Sequence, residues 1–389
     1  MKILFLAWKS LGNNDMIDAF KEVGCEVKEI SFSNDEARTD PKIESYLATE
    51  INSYSPNFVF SFNYFPIVSL ACKACDIPYV SWTYDNPYVL LYSYTILYPK
   101  NYIFIFDKEL YMEYHRAGIN TVHYLPLAAN PDRLSSMKKD STFLTSPYAP
   151  QKKVSFVGSL YTEKHNFYQR LDGIAPYTRG YLEGLMAAQR QVYGCNFIQE
   201  TLSKEIVEDM HQFLPLQPAP DGIETIEYLF AQYVINRQLT GIERMEYLTD
   251  IANAYGLDLY THNKELTLKG CCNHGPVDYY DVSPYVFRHS KINLNITLRS
   301  IKSGIPLRAF DVIGSGGFLL SNYQNDFSDC FVADTDYVYF DSHKDMMDKI
   351  AYYIHNEDER KAIAKNGLHT LSENHTYIHR AKEMLSYLP

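Results

Sequence analysis

Long apolar runs are missing from this sequence. None approaches the ~20 residues a helix needs to cross a bilayer, so no membrane span is expected. The opening MKILFLAWKSLG has too short an apolar stretch for a secretion signal and no small-residue cleavage site, which leads to the expectation of a cytoplasmic protein. Cysteine is sparse and odd in number, seven in all, which fits reduced thiols better than a disulfide framework. A zinc site could be assembled on paper from Cys72, Cys75, Cys271, Cys272 and His274. The first pair falls in an apolar, helix-like segment and the second group lacks a C-x-x-C, so no metal is expected. Positive charge is also short: 36 Lys+Arg against 47 Asp+Glu leave a net −11. That argues against nucleic acid or an anionic membrane as the partner, and an anionic ligand would need a local basic pocket. Tryptophan occurs twice but tyrosine 34 times. Tyrosines suit surfaces that are apolar and hydrogen-bonding at once, as sugar or peptide acceptors require, although most simply pack.

What is present is an alternation of strands and helices. At 389 residues the chain exceeds one ordinary core, and two domains are expected. KILFLAW (2–8) reads as a buried strand, then turn residues, then an amphipathic helix stopped by Gly24. CEVKEISF is the next strand and KIESYLATEINSY the next helix. NFVFSFN (57–63), PYVSWTY (78–84) and YIFIFD (102–107) are further strands. Such alternation predicts a parallel, doubly wound sheet whose ligands sit at the carboxyl ends of strands, where Asn63, Asp85 and Asp107 fall. KKDSTFLTSPYAPQKK (138–153) reads as a linker, after which the pattern restarts with KVSFVGSL (153–160). Residues 164–255 look almost wholly helical, an insertion. GLDLYTH (256–262), KINLNIT (291–297) and GGFLLSN (316–322) resume the strands, and the chain ends in helices. The predicted fold class is α/β, with residues 1–150 and 151–389 as two Rossmann-like doubly wound domains facing across a cleft.

Several constellations carry chemistry. In SGIPLRAFDVIGSGGFL (303–319), Arg308 and Asp311 lie three apart, on one helical face. Gly304 and Pro306 open that helix, whose free N–H groups favour an anion that Arg308 can also bind. Asp311 can accept from a ribose diol, and Gly314, Gly316 and Gly317 would let the chain approach a ligand. The alternative is a plain ion pair beside a glycine-rich loop. Gly158-Ser159 ends a strand where a diphosphate could meet backbone N–H groups, or where the chain simply turns. Asp85, beyond a predicted central strand, is placed to act as general base on an acceptor hydroxyl; an Asx turn is the structural alternative. Lys9, Ser10, Asn13, Asn14 and Asp15 form the first strand-to-helix loop, with Asn63 and Tyr64 on the same rim. Asp15 is the rival base and Asp107 a weaker third. The one D-x-D spacing, Asp334-Thr-Asp336, lies late in the chain.

NFVFSFNYFP, IPYVSWTYDNP, NYIFIFDKE and HYLPLAANP resemble, in order, the N-terminal domain of CgeB-like, spore-maturation-type glycosyltransferases. VSFVGSLY, HGPVDYYDVSPYVFRHSKINLNIT, SGIPLRAFDVIGSGGFLLS and NGLHTLSENHTYIHR are similar to the group 1 glycosyltransferase C-terminal domain. The resemblance implies a GT-B fold, with C-terminal helices packing back towards the N-terminal domain. It implies a nucleotide-sugar donor, most simply a UDP-sugar carrying a hexose or N-acetylhexosamine. It implies no required metal or cofactor. By the same resemblance Asp311 binds the ribose, Arg308 with Lys302 and Gly304 the phosphate side, Gly158 and Ser159 the diphosphate, and Pro276 and Val277 the nucleobase. Where many retaining relatives carry a second acid, eight positions before Asp311, this chain has Ser303. Tyr84 stands where relatives of that group place a His beside the position of Asp85. Two other functions stay open: a nucleotide-sugar epimerase, and a non-catalytic sugar-nucleotide-binding or scaffold protein.

Overall fold

The computed structural model describes residues 1–33, 38–135, 140–162 and 166–389. The start of the expected linker (138–139) and of the expected insertion (164–165) lie outside the described residues. The chain divides into two compact units: Met1–Ala128 with Pro218–Glu224 and His375–Pro389, and Ala129–Gln217 with Thr225–Asn374. The rest of the polar stretch read as a linker therefore lies inside the second unit.

The first unit holds strands β1 (Lys2–Ala7), β2 (Glu26–Ser31), β3 (Phe58–Phe62), β4 (Tyr79–Thr83), β5 (Asn101–Ile105) and β6 (Val122–Tyr124), in the order β2-β1-β3-β4-β5-β6. Every pairing is parallel. β3 and β4 are buried along their whole length, as a parallel strand must be when helices cover both faces. β2, at the edge, has no buried residue and carries three charged ones, Glu26, Lys28 and Glu29. The winding direction reverses between β1 and β3, and at such a point the loops after the two strands part to leave a crevice. Helix Asn13–Glu22 starts after Gly12, whose φ of 81° suits glycine. Helix Pro41–Tyr54 is capped by Asp40, which accepts from Lys42 N at 2.8 Å and Ile43 N at 3.3 Å. The last helix, Tyr377–Ser386, joins this unit: Tyr377 packs edge-on against Trp82 at 5.9 Å, and Arg380 Nε donates to Pro126 O at 2.7 Å.

The second unit holds β7 (Val154–Val157), β8 (Leu257–Tyr260), β9 (Cys271–Asn273), β10 (Ile292–Asn295), β11 (Leu319–Asn322) and β12 (Val338–Phe340), all parallel, in the order β12-β11-β10-β7-β8-β9. The insertion between β7 and β8 is built from helices Pro176–Arg190, Lys204–Phe213 and Asn236–Tyr255 with shorter turns, around a core of Leu182, Met210, Phe230 and Leu239. It is not helical throughout. Pro218, Pro220 and Gly222 break it, and this segment lies on the first unit, where Gly222 bridges Ser93 and Arg38 pairs with Asp221 and Glu224 at 3.2 and 3.1 Å.

Candidate functional site

In the second unit the residues meet at the carboxyl edge of the sheet. β7 gives way to Gly158 at φ 156°, where an added Cβ would stand 2.6 Å from Arg308 Nη2. Arg308 sits in helix Leu307–Gly314, which Pro306 caps rather than enters. Its Nη1 donates to Asn295 Oδ1, at the end of β10, at 2.9 Å, and its guanidinium lies 5.2 Å from the Phe156 ring. A second guanidinium, Arg244 from helix Asn236–Tyr255, lies 5.3 Å from the same ring and 4.9 Å from Tyr161. Arg244 is 2% exposed and donates to Ser159 O at 2.5 Å and to Ile296 O at 3.1 Å, so it staples the turn after β7 to the end of β10. Helix Asn236–Tyr255 comes this close because Gly241, one turn before Arg244, leaves room for Leu160 O, 3.3 Å from where a Cβ would stand.

Burial pushes the Arg308 pKa down to about 9 and the Arg244 charge adds to the fall, while Tyr161 and Asp311 oppose it. Arg308 keeps some contact with solvent, and a guanidinium stays protonated at neutral pH. The result is a charged group short of compensation, beside a turn with no Cβ, which is the electrostatic condition for holding an anion. Asp311, one turn on, is 6% exposed and accepts the Tyr279 hydroxyl on Oδ1 at 3.0 Å. Ser159 flanks Gly158. Pro276 and Val277 follow β9, half-buried, with Val277 against Phe143, Tyr260, Tyr285 and Val286. Lys302 is half-buried in a narrow polar niche with Asn196, Arg299, Asn322 and Gln324. Gly304 and Ser303 are buried: Gly304 O accepts Gln324 Nε2 at 3.1 Å and Ser303 O accepts Asp326 N at 3.1 Å. In the glycine cluster Gly316 turns the chain at φ 73°, while a Cβ on Gly314 would meet Ala129 Cβ at 2.9 Å and one on Gly317 Phe287 O at 2.6 Å, so those two are packed against protein.

In the first unit Asn63 organises the loop after β3. It is fully buried at φ 56°, donates Nδ2 to Asp85 Oδ2 at 2.6 Å and accepts Tyr84 N at 3.1 Å on Oδ1. Asp85 reaches solvent. Desolvation raises its pKa above the ordinary aspartate value while the Asn63 hydrogen bond opposes. The Tyr84 hydroxyl accepts Leu11 N at 3.1 Å, joining this loop to the one after β1. There Lys9 is exposed and Ser10 Oγ donates to Asn13 Oδ1 at 2.5 Å; Asn13, whose Nδ2 donates to Trp8 O at 2.8 Å, and the exposed Asn14 already belong to helix Asn13–Glu22 rather than to the loop.

Three expectations are corrected here. Tyr64 is not on a rim: it is 0% exposed, stacked on Tyr79 and hydrogen-bonded to Thr95 Oγ1 at 2.7 Å. An apolar ring with one polar tip is satisfied inside the core, and that burial raises its pKa. Asp15 is not on the loop: it lies in the first turn of helix Asn13–Glu22, 3% exposed, where a carboxylate suits the helix dipole. Asp107 caps helix Lys108–Arg116 through Leu110 N at 3.1 Å.

Cys72 and Cys75 fall in the first unit and Cys271, Cys272 and His274 in the second. Asp258, Cys272 and His274 come within 4.8 Å of one another. Asp258 and His274 are already engaged: Asp258 Oδ2 accepts Gln151 N at 2.8 Å and Lys152 N at 2.6 Å, and Oδ1 meets His274 Nε2 at 2.8 Å. In the late D-x-D, Asp336 accepts Thr370 Oγ1 at 3.1 Å and Val332 N at 2.9 Å, a structural use.

Sequence reasoning missed Arg244, Asn295, Tyr279 and the His274–Asp258 pair. Gly241 and Arg244, three apart in a helix, were the available signal for Arg244.

Two parallel six-stranded sheets, each clothed in helices, define the GT-B class of fold. Solved structures agree. A glycosyltransferase from Rickettsia africae superposes with a TM-score of 0.55 at 11% identity, covering 100% of this chain and 97% of that one. Sucrose-phosphate synthase from Thermosynechococcus elongatus gives 0.52 at 9%, covering 100% and 98%. Anabaena HepE in complex with UDP-glucose gives 0.52 at 10%, covering 100% of both. Residues 244–386 match the family model described as glycosyl transferase-like, a segment that begins at Arg244 and contains Arg308 and Asp311. No curated protein matches the chain.

Proposed function

We propose that this protein is a glycosyltransferase that moves a hexose or N-acetylhexosamine from a UDP-sugar to a hydroxyl-bearing acceptor, in the manner of CgeB-like enzymes. The observation that carries this reading is the arrangement of Gly158, Arg308 and Asp311. It offers a Cβ-free turn, an undercompensated guanidinium and a carboxylate one helical turn away, which suit a diphosphate followed by a ribose diol. In the reaction the bond from the anomeric carbon to the diphosphate oxygen breaks and a bond to the acceptor oxygen forms. Arg308 stabilises the charge that grows on the leaving diphosphate. Asp85, exposed beyond β4 and oriented by the Asn63 amide, takes the acceptor's proton. The guanidinium charge does the work that a metal ion would otherwise do, so magnesium or manganese is not required, and a cytoplasmic location supplies nucleotide-sugars. The match of residues 244–386 supports the transferase reading, and the UDP-glucose complex of the similarly folded HepE supports the choice of donor.

The test is release of UDP from a panel of UDP-sugars, with and without glycan, peptide and small-molecule acceptors. Acceptor-dependent release is expected. Isomerised UDP-sugar without acceptor would indicate an epimerase, and binding without turnover a scaffold.

A further inference from the structure

The segment that leads from β9 into the proposed nucleobase contact is held at both ends. At its far end the Tyr279 hydroxyl donates to Asp311. At its near end is His274, whose side chain is 3% exposed and stacks on Tyr260 at 4.6 Å. The ring meets an acceptor on each side: Nε2 is 2.8 Å from Asp258 Oδ1 and Nδ1 is 2.8 Å from Pro147 O. A neutral imidazole donates from one nitrogen only, so only the imidazolium satisfies both. The next residue, Gly275, takes φ 75° and leads into the irregular segment through Pro276 and Val277.

We propose that His274 is a positioning residue for the nucleotide: as an imidazolium it fixes the segment from Gly275 to Tyr279 in the shape that receives the base of a uridine diphosphate. This rests on the UDP-sugar reading above. The charged and titratable groups around the ring are Asp258 and Tyr260 on β8, Cys272 on β9, Lys152 on the segment before β7, and Lys264 beside Gly275. Of these, Asp258 alone touches a ring nitrogen with an opposite charge. Burial by itself would lower the His274 pKa, but the bonds to Asp258 and Pro147 O and the Asp258 charge outweigh it and raise it above the ordinary value.

The experiment titrates UDP and inorganic pyrophosphate into wild type and His274→Gln across neutral pH, with the His274 ring followed by nitrogen-detected NMR. His274→Gln keeps a donor towards Asp258 but loses the second donor and the charge. In wild type UDP affinity should fall as pH rises through the ring's titration. His274→Gln should bind UDP about tenfold more weakly at acidic pH and lack that step. Pyrophosphate, which carries no base, should bind both proteins alike. Equal UDP affinity and equal pH profiles in the two proteins would overturn the proposal, as would a neutral ring below neutral pH. A variant that fails to fold leaves the decision to wild type, where UDP affinity unmoved across the titration is equally fatal. If wild type binds pyrophosphate but not UDP, the donor reading falls first and this inference with it.

Discussion

Arg308 is the residue on which most else depends, because burial and a like charge weigh on its guanidinium more than Asp311 and Tyr161 relieve it. Truncating it in Arg308→Ala relieves the protein and deprives an anion, so the fold should hold. UDP affinity should fall by about 1.5–3 kcal/mol, the usual worth of hydrogen bonds to a charged group, as read by calorimetry. Gly158→Ala tests the same point from the other side. Its methyl would stand 2.6 Å from Arg308 Nη2 on a backbone whose φ of 156° side chains rarely adopt, so both the guanidinium and the turn must shift. The expected result is a marked loss of UDP affinity together with a lower melting temperature from the strained turn. Asp85→Asn should lower kcat by about 10²–10⁴-fold with donor affinity unchanged, the range that general-base catalysis contributes. A normal kcat in that variant would move the proton acceptor to the leaving phosphate, since Asp15 and Asp107 are both committed to helix starts. At this scale the sequence was half legible. Arg308 and Asp311 were visible because two charges in an apolar helix need a reason. Arg244 was hidden because one arginine in a long helix looks like solvated surface.

At the scale of elements, nine of the twelve strands announced themselves as short apolar runs closed by polar residues, whereas β6, β9 and β12, three residues each, were too short to show a pattern. The insertion was legible as helix because its apolar residues recur at helical spacing. Its interruption at Pro218–Glu224 was written in Pro215, Pro218 and Pro220 but carried no sign of where that segment would rest. The packing of Asn236–Tyr255 on the turn after β7 depends on Gly241. Gly241→Leu would push the helix off Leu160 and withdraw Arg244 from Ser159 O and Ile296 O. Chemical denaturation should register a loss of several kcal/mol, in the range of a broken buried network, ~3–5. The His274–Asp258 pair joins β8 and β9 to the segment before β7. Because its folded-state pKa is raised above the unfolded value, the stabilisation it gives is complete below the ordinary histidine range and is lost as pH rises through the folded value. Urea midpoints measured across that window should decline in wild type and stay level in His274→Gln.

For the whole molecule, an excess of negative charge and the proposed doubly charged ligand are reconciled by locality. A net −11 is compatible with an anion site because Arg308 and Arg244 are brought to one ring. The fold was predictable from alternation alone, whereas the ligand was not, since doubly wound units serve many chemistries and only the side chains at the strand ends choose among them. The measurement that bears most directly on the account is calorimetric titration of wild type and Arg308→Ala with UDP and with uridine. The account predicts that wild type binds UDP far more tightly than uridine, and that Arg308→Ala removes most of that difference while leaving uridine binding in place. Equal affinity of wild type for UDP and uridine, or an undiminished preference for UDP in Arg308→Ala, would contradict it.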